Sequence, residues 1–150
     1  MREILFRGRM QGAPEWVYGC YYKQSEFYGD TMEDHIIITS CEDLSYDQAL
    51  QFESVEPKTV GQFTGLTDKN GKKVFEGDIL KFTDVKYDYE WIGRVEFGNP
   101  NAEYNWGFQL VYIKGEKPNT DILCWFDMEE TGAFAEVIGN IHDNPELLEG

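Results

Sequence analysis

The chain has 150 residues, enough for one domain that buries about 70% of its unfolded surface without a covalent staple. Its 28 acidic and 13 basic residues give a formal net charge of −15, which repels phosphate backbones and anionic membranes and argues against direct nucleic-acid or membrane binding. A hydrophobic content of 41% rules out a disordered chain, and no apolar run approaches the roughly 20 residues that span a bilayer.

Taken from the N-terminus, MREILFRGRM lacks the apolar stretch and cleavage site of a secretion signal, so a cytoplasmic protein is expected. Glu3–Arg7 reads as a first strand. In Trp16–Lys23 the alternation puts Trp16, Tyr18, Cys20 and Tyr22 on one side and Val17, Gly19 and Tyr21 on the other. Aromatics on both sides predict a strand covered twice or lying in an interface. His35–Thr39 is β-branched and predicts another strand. Asp43–Phe52 predicts a helix, with Ser45 as cap, Gln48 three residues on, and Leu44 able to pack on Ala49. Val55-Glu-Pro57 follows as an extended connector. The expectation is a single domain over 1–150, with a possible subdivision into 1–54 and 55–150.

Thr59–Leu66 and Lys73–Phe82 flank Asp68-Lys-Asn70-Gly71, and Asn-Gly between two apolar-bearing runs is a strong hairpin signal. Asp68 is placed to accept hydrogen bonds from the loop backbone, and Gly71 to take positive φ. Beyond it, an unbroken strand would align Val74, Glu76, Asp78, Leu80 and Phe82. That would drive two carboxylates into the core, so the alternation must reset, with a bulge or tight turn at Gly77. Gly65, Asp68, Asn70, Gly71, Gly77 and Asp78 are therefore read as structural corners, with Asp78 accepting backbone N–H groups to hold the bend.

Tyr89–Phe97, Trp106–Ile113, Asp121–Asp127 and Ala135–Ile141 predict further strands. The tail predicts a helix start, with Asn144 as cap and Pro145 in the first position. Short strands bounded by Gly and Pro add up to a mainly β fold: a small barrel or strongly bent sheet with an N-terminal β extension and one or two short helices.

The search for chemistry yields little. Lys58, Lys69, Lys72 and Lys73 form the one basic concentration, but no Gly-rich loop opens a helix there, and lysines at a hairpin tip serve solubility and edge protection. His35 and His142 stand outside any metal-binding spacing, and Cys20, Cys41 and Cys124 read as reduced, buried thiols. No cofactor is expected and no catalytic residue is assigned. A metal-dependent enzyme built from Glu76, Asp78, Asp127, Glu129 or Glu130 is the weaker alternative.

More promising for function are two stretches that mix acids with aromatics. Tyr87, Asp88, Tyr89, Glu90 and Trp91, with Trp125, Asp127, Glu129 and Glu130, form a candidate partner face. The acidity is also uneven: residues 1–75 hold 12 acids and 8 bases, while 76–150 hold 16 and 5. Solubility explains that imbalance simply. A basic host nucleic-acid-binding protein, bound as by an acidic decoy, is the functional alternative to self-association.

The segments MREILFRG (1–8), VEPKTVGQFTGLTDKNGKKVFEGDILKF (55–82), GRVEF (93–97) and EVIGNIHDNPELLE (136–149) together resemble the YopX family of phage and prophage proteins. The resemblance implies an uncharacterised accessory protein with a barrel of SH3-like type. It implies no catalytic residues. Function is then expected through protein–protein interaction or self-association.

Overall fold

The computed structural model describes residues 3–25, 33–40, 51–101, 106–116, 122–126 and 132–149. The fold is mainly β, with two antiparallel sheets, and among the described residues the only helical elements are 3-10 turns. Among the described residues no helix is long and apolar enough to cross a membrane. The chain divides into two compact units, Met1–Phe63 and Thr64–Gly150.

In the first unit, β1 (Phe6–Arg9), β2 (Trp16–Ser25), β3 (Glu33–Ser40) and β4 (Gln51–Ser54) pair in series. The N-terminal half of β1 also pairs with the start of β5 (Gly61–Thr67), with Phe6 opposite Gln62. The first strand starts three residues later than Glu3 because its register runs from Phe6 opposite Gly19 to Arg9 opposite Trp16. Gln51 and Phe52 lie in β4, so the helix expected over 43–52 does not reach its predicted end; pairing of Phe52 with Ile38 claims them for the sheet. Residues 43–50 lie outside the described residues.

These four strands curl until the ends of β1 and β4 meet at one bridge. Met10, just past β1, bridges Val55, just past β4. Gln11 N–H donates to the Ser54 carbonyl at 3.1 Å and Glu56 N–H to the Arg9 carbonyl at 2.9 Å. An Arg9–Glu56 ion pair at 3.0 Å spans the same join. Val55 is fully buried there, and Gly8 leaves it room: a Cβ on Gly8 would stand 2.9 Å from Val55 Cβ. The join is one bridge long, and neither sheet forms a continuous closed barrel among the described residues.

In the second unit the second half of β5 lies beside β6 (Lys73–Phe75), and β10 (Ala133–Asn140), β7 (Asp78–Asp84), β8 (Tyr89–Gly98) and β9 (Gly107–Gly115) form the second sheet in that order. Its core gathers Val74, Leu80, Phe82, Trp91, Val95, Leu110, Trp125 and Ala135, each large side chain contributing roughly 1.5–3 kcal/mol by burial. Phe82 and Trp91 stack at 4.2 Å between ring centres. A bulge falls between Ile92, opposite Lys114, and Gly93, opposite Tyr112, and leaves Ile113 as the extra residue of β9. A Cβ on Gly93 would lie 2.6 Å from the Trp91 ring and 2.9 Å from the Val111 carbonyl, so the bare glycine makes space for the indole.

Two predicted elements differ in kind. Ile122–Trp125 is a 3-10 turn rather than part of a strand over 121–127, and it delivers Trp125 edge-on to Trp91 and parallel to Tyr89. The tail helix is a four-residue 3-10 turn, Pro145–Leu148, with no side-chain cap. Asn144 Oδ1 instead accepts the Asn140 N–H at 3.2 Å, closing the turn before it.

Candidate functional site

The turn after β5 is organised around one carboxylate. Asn70 N–H and Lys72 N–H each donate to Asp68 Oδ1 at 2.9 Å, and Val137 N–H donates to Oδ2 at 3.0 Å. Gly71 sits at φ 79°, as a hairpin turn requires. Lys69 N–H donates to the Ala135 carbonyl at 3.1 Å. Its ammonium pairs with Glu136 at 3.4 Å and lies 4.4 Å above the Phe134 ring centre. The hairpin tip therefore shields the outer edge of β10 by bonding to it, rather than by charge alone.

Asp78 is the first residue of β7. Buried there, it accepts the Phe75 N–H at 2.8 Å on Oδ2. Gly77 between them has φ 90°, donates to the Val95 carbonyl and accepts from Ile141 N–H, both at 2.9 Å. The alternation of the chain resets there, and Gly65 (φ 87°) bends β5 in the same way. Both buried carboxylates are thus engaged in holding backbone.

The candidate partner face is only partly a surface. Tyr87 is 72% exposed on the β7–β8 hairpin, where Asp84 Oδ1 accepts the Lys86 N–H at 3.0 Å and Asp88 takes φ 50°. Glu90 is exposed and pairs with Lys81 at 3.3 Å. Trp91, by contrast, is 0% exposed, and Trp125 is buried too. Both are core residues, because alternation on β8 turns Trp91 inward onto Phe82. Tyr89 is half-buried beside them, and burial, then the nearby Glu116 charge, raises its pKa above the usual phenol value. Asp127, Glu129 and Glu130 lie outside the described residues.

Two surfaces lie outside the candidate partner face, the first on the strand whose aromatics predicted a doubly covered strand or an interface. On β2–β4 the pairing aligns Cys20 with Ile38 and Phe52, and Tyr22 with Ile36 and Ser54. Tyr22 is 54% and Phe52 53% exposed on that outward side, with Tyr18 beside them. Cys20 is exposed here, correcting the expected buried thiol: even positions of β2 face out while Ile37 fills the inside. The doubled aromatic pattern of Trp16–Lys23 was its signal. The second surface is a cavity of about 390 Å³ in the second unit, lined by Thr67, Asp68, Lys69, Trp125, Phe126 and Gly132–Ala135. It lies within the size range of small-ligand pockets. No spacing in the sequence announces it, since its walls come from three separate stretches.

These corners lie in a chain that matches the family model described as YopX protein over residues 6–149. The protein belongs to the YopX family. Comparison with curated proteins gave no match.

Proposed function

We propose that this chain is a non-catalytic interaction protein of phage or prophage origin, working in the host cytoplasm and built on a small, strongly bent barrel of SH3-like type. The Met10–Val55 bridge, which joins the two ends of the first four strands, supports the barrel. The exposed apolar side of β2–β4 carries the functional reading: Tyr22 and Phe52, each more than half exposed, flank Ile36 and Ile38, and the rows Cys20–Ile38–Phe52 and Tyr22–Ile36–Ser54 hold no charged residue. Contiguous apolar surface of this kind marks contact sites. Its occupant is a second copy or a different protein.

Sedimentation equilibrium of the wild-type chain and of a Tyr22→Ser/Phe52→Ser double variant, at low and high salt, tests the reading. A salt-resistant oligomer that the double variant abolishes identifies self-association. A monomer in both forms directs attention to a partner, which should bind the wild type and not the variant. Binding of either kind that ignores the double variant, or measurable turnover of a substrate, would sink the proposal.

The second reading is an acidic decoy for a basic nucleic-acid-binding protein, favoured by the net −11 of residues 76–150. Its complex should weaken steeply between low and high salt. Salt-insensitive binding counts against it.

A further inference from the structure

The cavity of the second unit combines aromatic walls with a charge that nothing matches. Trp125, Phe126 and Phe134 line it, together with the carboxylate of Asp68. Asp68 is 7% exposed and accepts the backbone N–H groups of Asn70 and Lys72 on Oδ1 and of Val137 on Oδ2. A carboxylate offers about four acceptor positions, so one on Oδ2 is left over. Among the described residues no cation pairs with this group, and Lys69, its neighbour in sequence, pairs with Glu136 instead. Buried charges are ordinarily matched by an opposite charge. Backbone donors hold Asp68 in place but carry no net charge of their own.

The wall also shows what its rings accept. The Lys69 ammonium lies over Phe134, 4.4 Å from the ring centre, with the Glu136 carboxylate 3.4 Å away. The negative face of an aromatic ring attracts a cation in this way. The Lys69 and Glu136 side chains are each 38% exposed, so this pair stands on the outer side and cancels its own charge. Beside the more deeply buried Trp125, the charge that remains is that of Asp68. The net −11 of residues 76–150 draws cations rather than anions toward it.

We propose that the cavity binds a compact organic cation, an alkylated ammonium of the kind carried by choline or by a methylated lysine side chain. Its positive charge lies beside Asp68, and its methyl groups pack against Trp125 and Phe126. Each feature selects against an alternative. A metal ion would leave the apolar walls of a cavity of about 390 Å³ unfilled. A neutral apolar molecule would leave Asp68 unmatched, and an anion would meet that carboxylate at close range. The site goes beyond the interaction reading and shares no residue with the β2–β4 surface, so its failure leaves that reading untouched.

The test uses the full chain, titrated with choline and with its neutral analogue, in which a tert-butyl group replaces the trimethylammonium and keeps its shape. Binding is read from amide and indole shifts in proton–nitrogen NMR spectra. Choline should bind about tenfold more tightly than the analogue, with shifts centred on the Asp68–Lys69 turn and the Trp125 indole. Lys69→Gln, which takes the chain's own cation off Phe134, should tighten choline binding about threefold. Asp68→Asn, checked for folding by circular dichroism, should abolish the preference for choline over the analogue. A trimethyllysine peptide then identifies the source of the cation. Binding tighter than that of choline assigns it to a partner's side chain, and weaker binding assigns it to a free small molecule. Equal affinity of the wild-type chain for choline and its analogue, no binding of choline, or shifts confined to other parts of the chain overturns the proposal.

Discussion

Asp68 and Val137, 69 residues apart, are joined by a 3.0 Å hydrogen bond from a strand amide to a carboxylate oxygen. The same carboxylate closes its own turn through Asn70 and Lys72. Asp68→Ala removes three acceptor contacts and leaves the Val137 amide unpaired. It should destabilise the chain by roughly 3 kcal/mol, whereas Asp68→Asn, keeping one oxygen, should cost about half that. Urea unfolding of the two variants checks the order; equal losses would mean the second oxygen contributes nothing.

Gly93 and Trp91 set a second expectation. The space a Cβ would need at Gly93 is held by the indole and by the Val111 carbonyl. Gly93→Ala should lower stability by about 1–3 kcal/mol, as overpacking does. It should also change the near-ultraviolet dichroism of the Phe82–Trp91–Trp125 cluster. Gly12, where a Cβ meets nothing within 4 Å, is the comparison for the steric part of the effect, though its own positive φ adds strain.

At Gly77 the issue is backbone rather than space. A φ of 90° is strained for any side chain, so Gly77→Ala should cost on the order of 1–2 kcal/mol. Thermal unfolding of that variant is the measurement. An unchanged midpoint would show that the bend relaxes without loss.

Tyr89 gives the pH dependence. Its folded pKa is raised above 10.0 by burial and by Glu116, so the folded state holds the phenol proton more tightly than the unfolded state. That stabilisation is fully present below about pH 10 and is lost as pH climbs through the folded pKa. Titration followed by tyrosinate absorbance should show one phenol ionising late, and Tyr89→Phe should abolish that late step. Were the late step to survive in Tyr89→Phe, another tyrosine would own it.

Much of the second unit was legible in advance because its signals are local. Asn70-Gly71 names its own turn, and the run Val74–Phe82 cannot stay in phase without burying Glu76 and Asp78 together, so the break at Gly77 followed from cost alone. Strands at Tyr89–Phe97, Trp106–Ile113 and Ala135–Ile141 were readable from alternation. What alternation could not say was which face points in. Trp91 and Trp125 looked like surface aromatics beside acids; the pairing of Trp91 with Phe82 across strands, and the 3-10 turn that sets Trp125 against both rings, make them core. For the same reason the outward run of Tyr18, Tyr22 and Phe52 needed the register of three strands before it became one surface. The end of the Asp43–Phe52 helix failed on a tertiary effect: Phe52 pairs with Ile38, and that pairing outweighs the propensity of the run. The cavity was beyond sequence altogether, since Thr67, Trp125 and Ala133 meet only after folding.

The span between Asp68 and Val137 also has a meaning in time. The bonds that Asp68 accepts from Asn70 and Lys72 close over two and four residues and need nothing else of the chain, whereas the one it accepts from Val137 must wait for a loop of 69 residues to return. Closing a long loop carries the larger entropic cost and comes later on that account. During synthesis the turn is therefore free to close before its strand leaves the ribosome, and β10 follows. A chain stopped short of residue 137 would carry that turn without the Val137 amide.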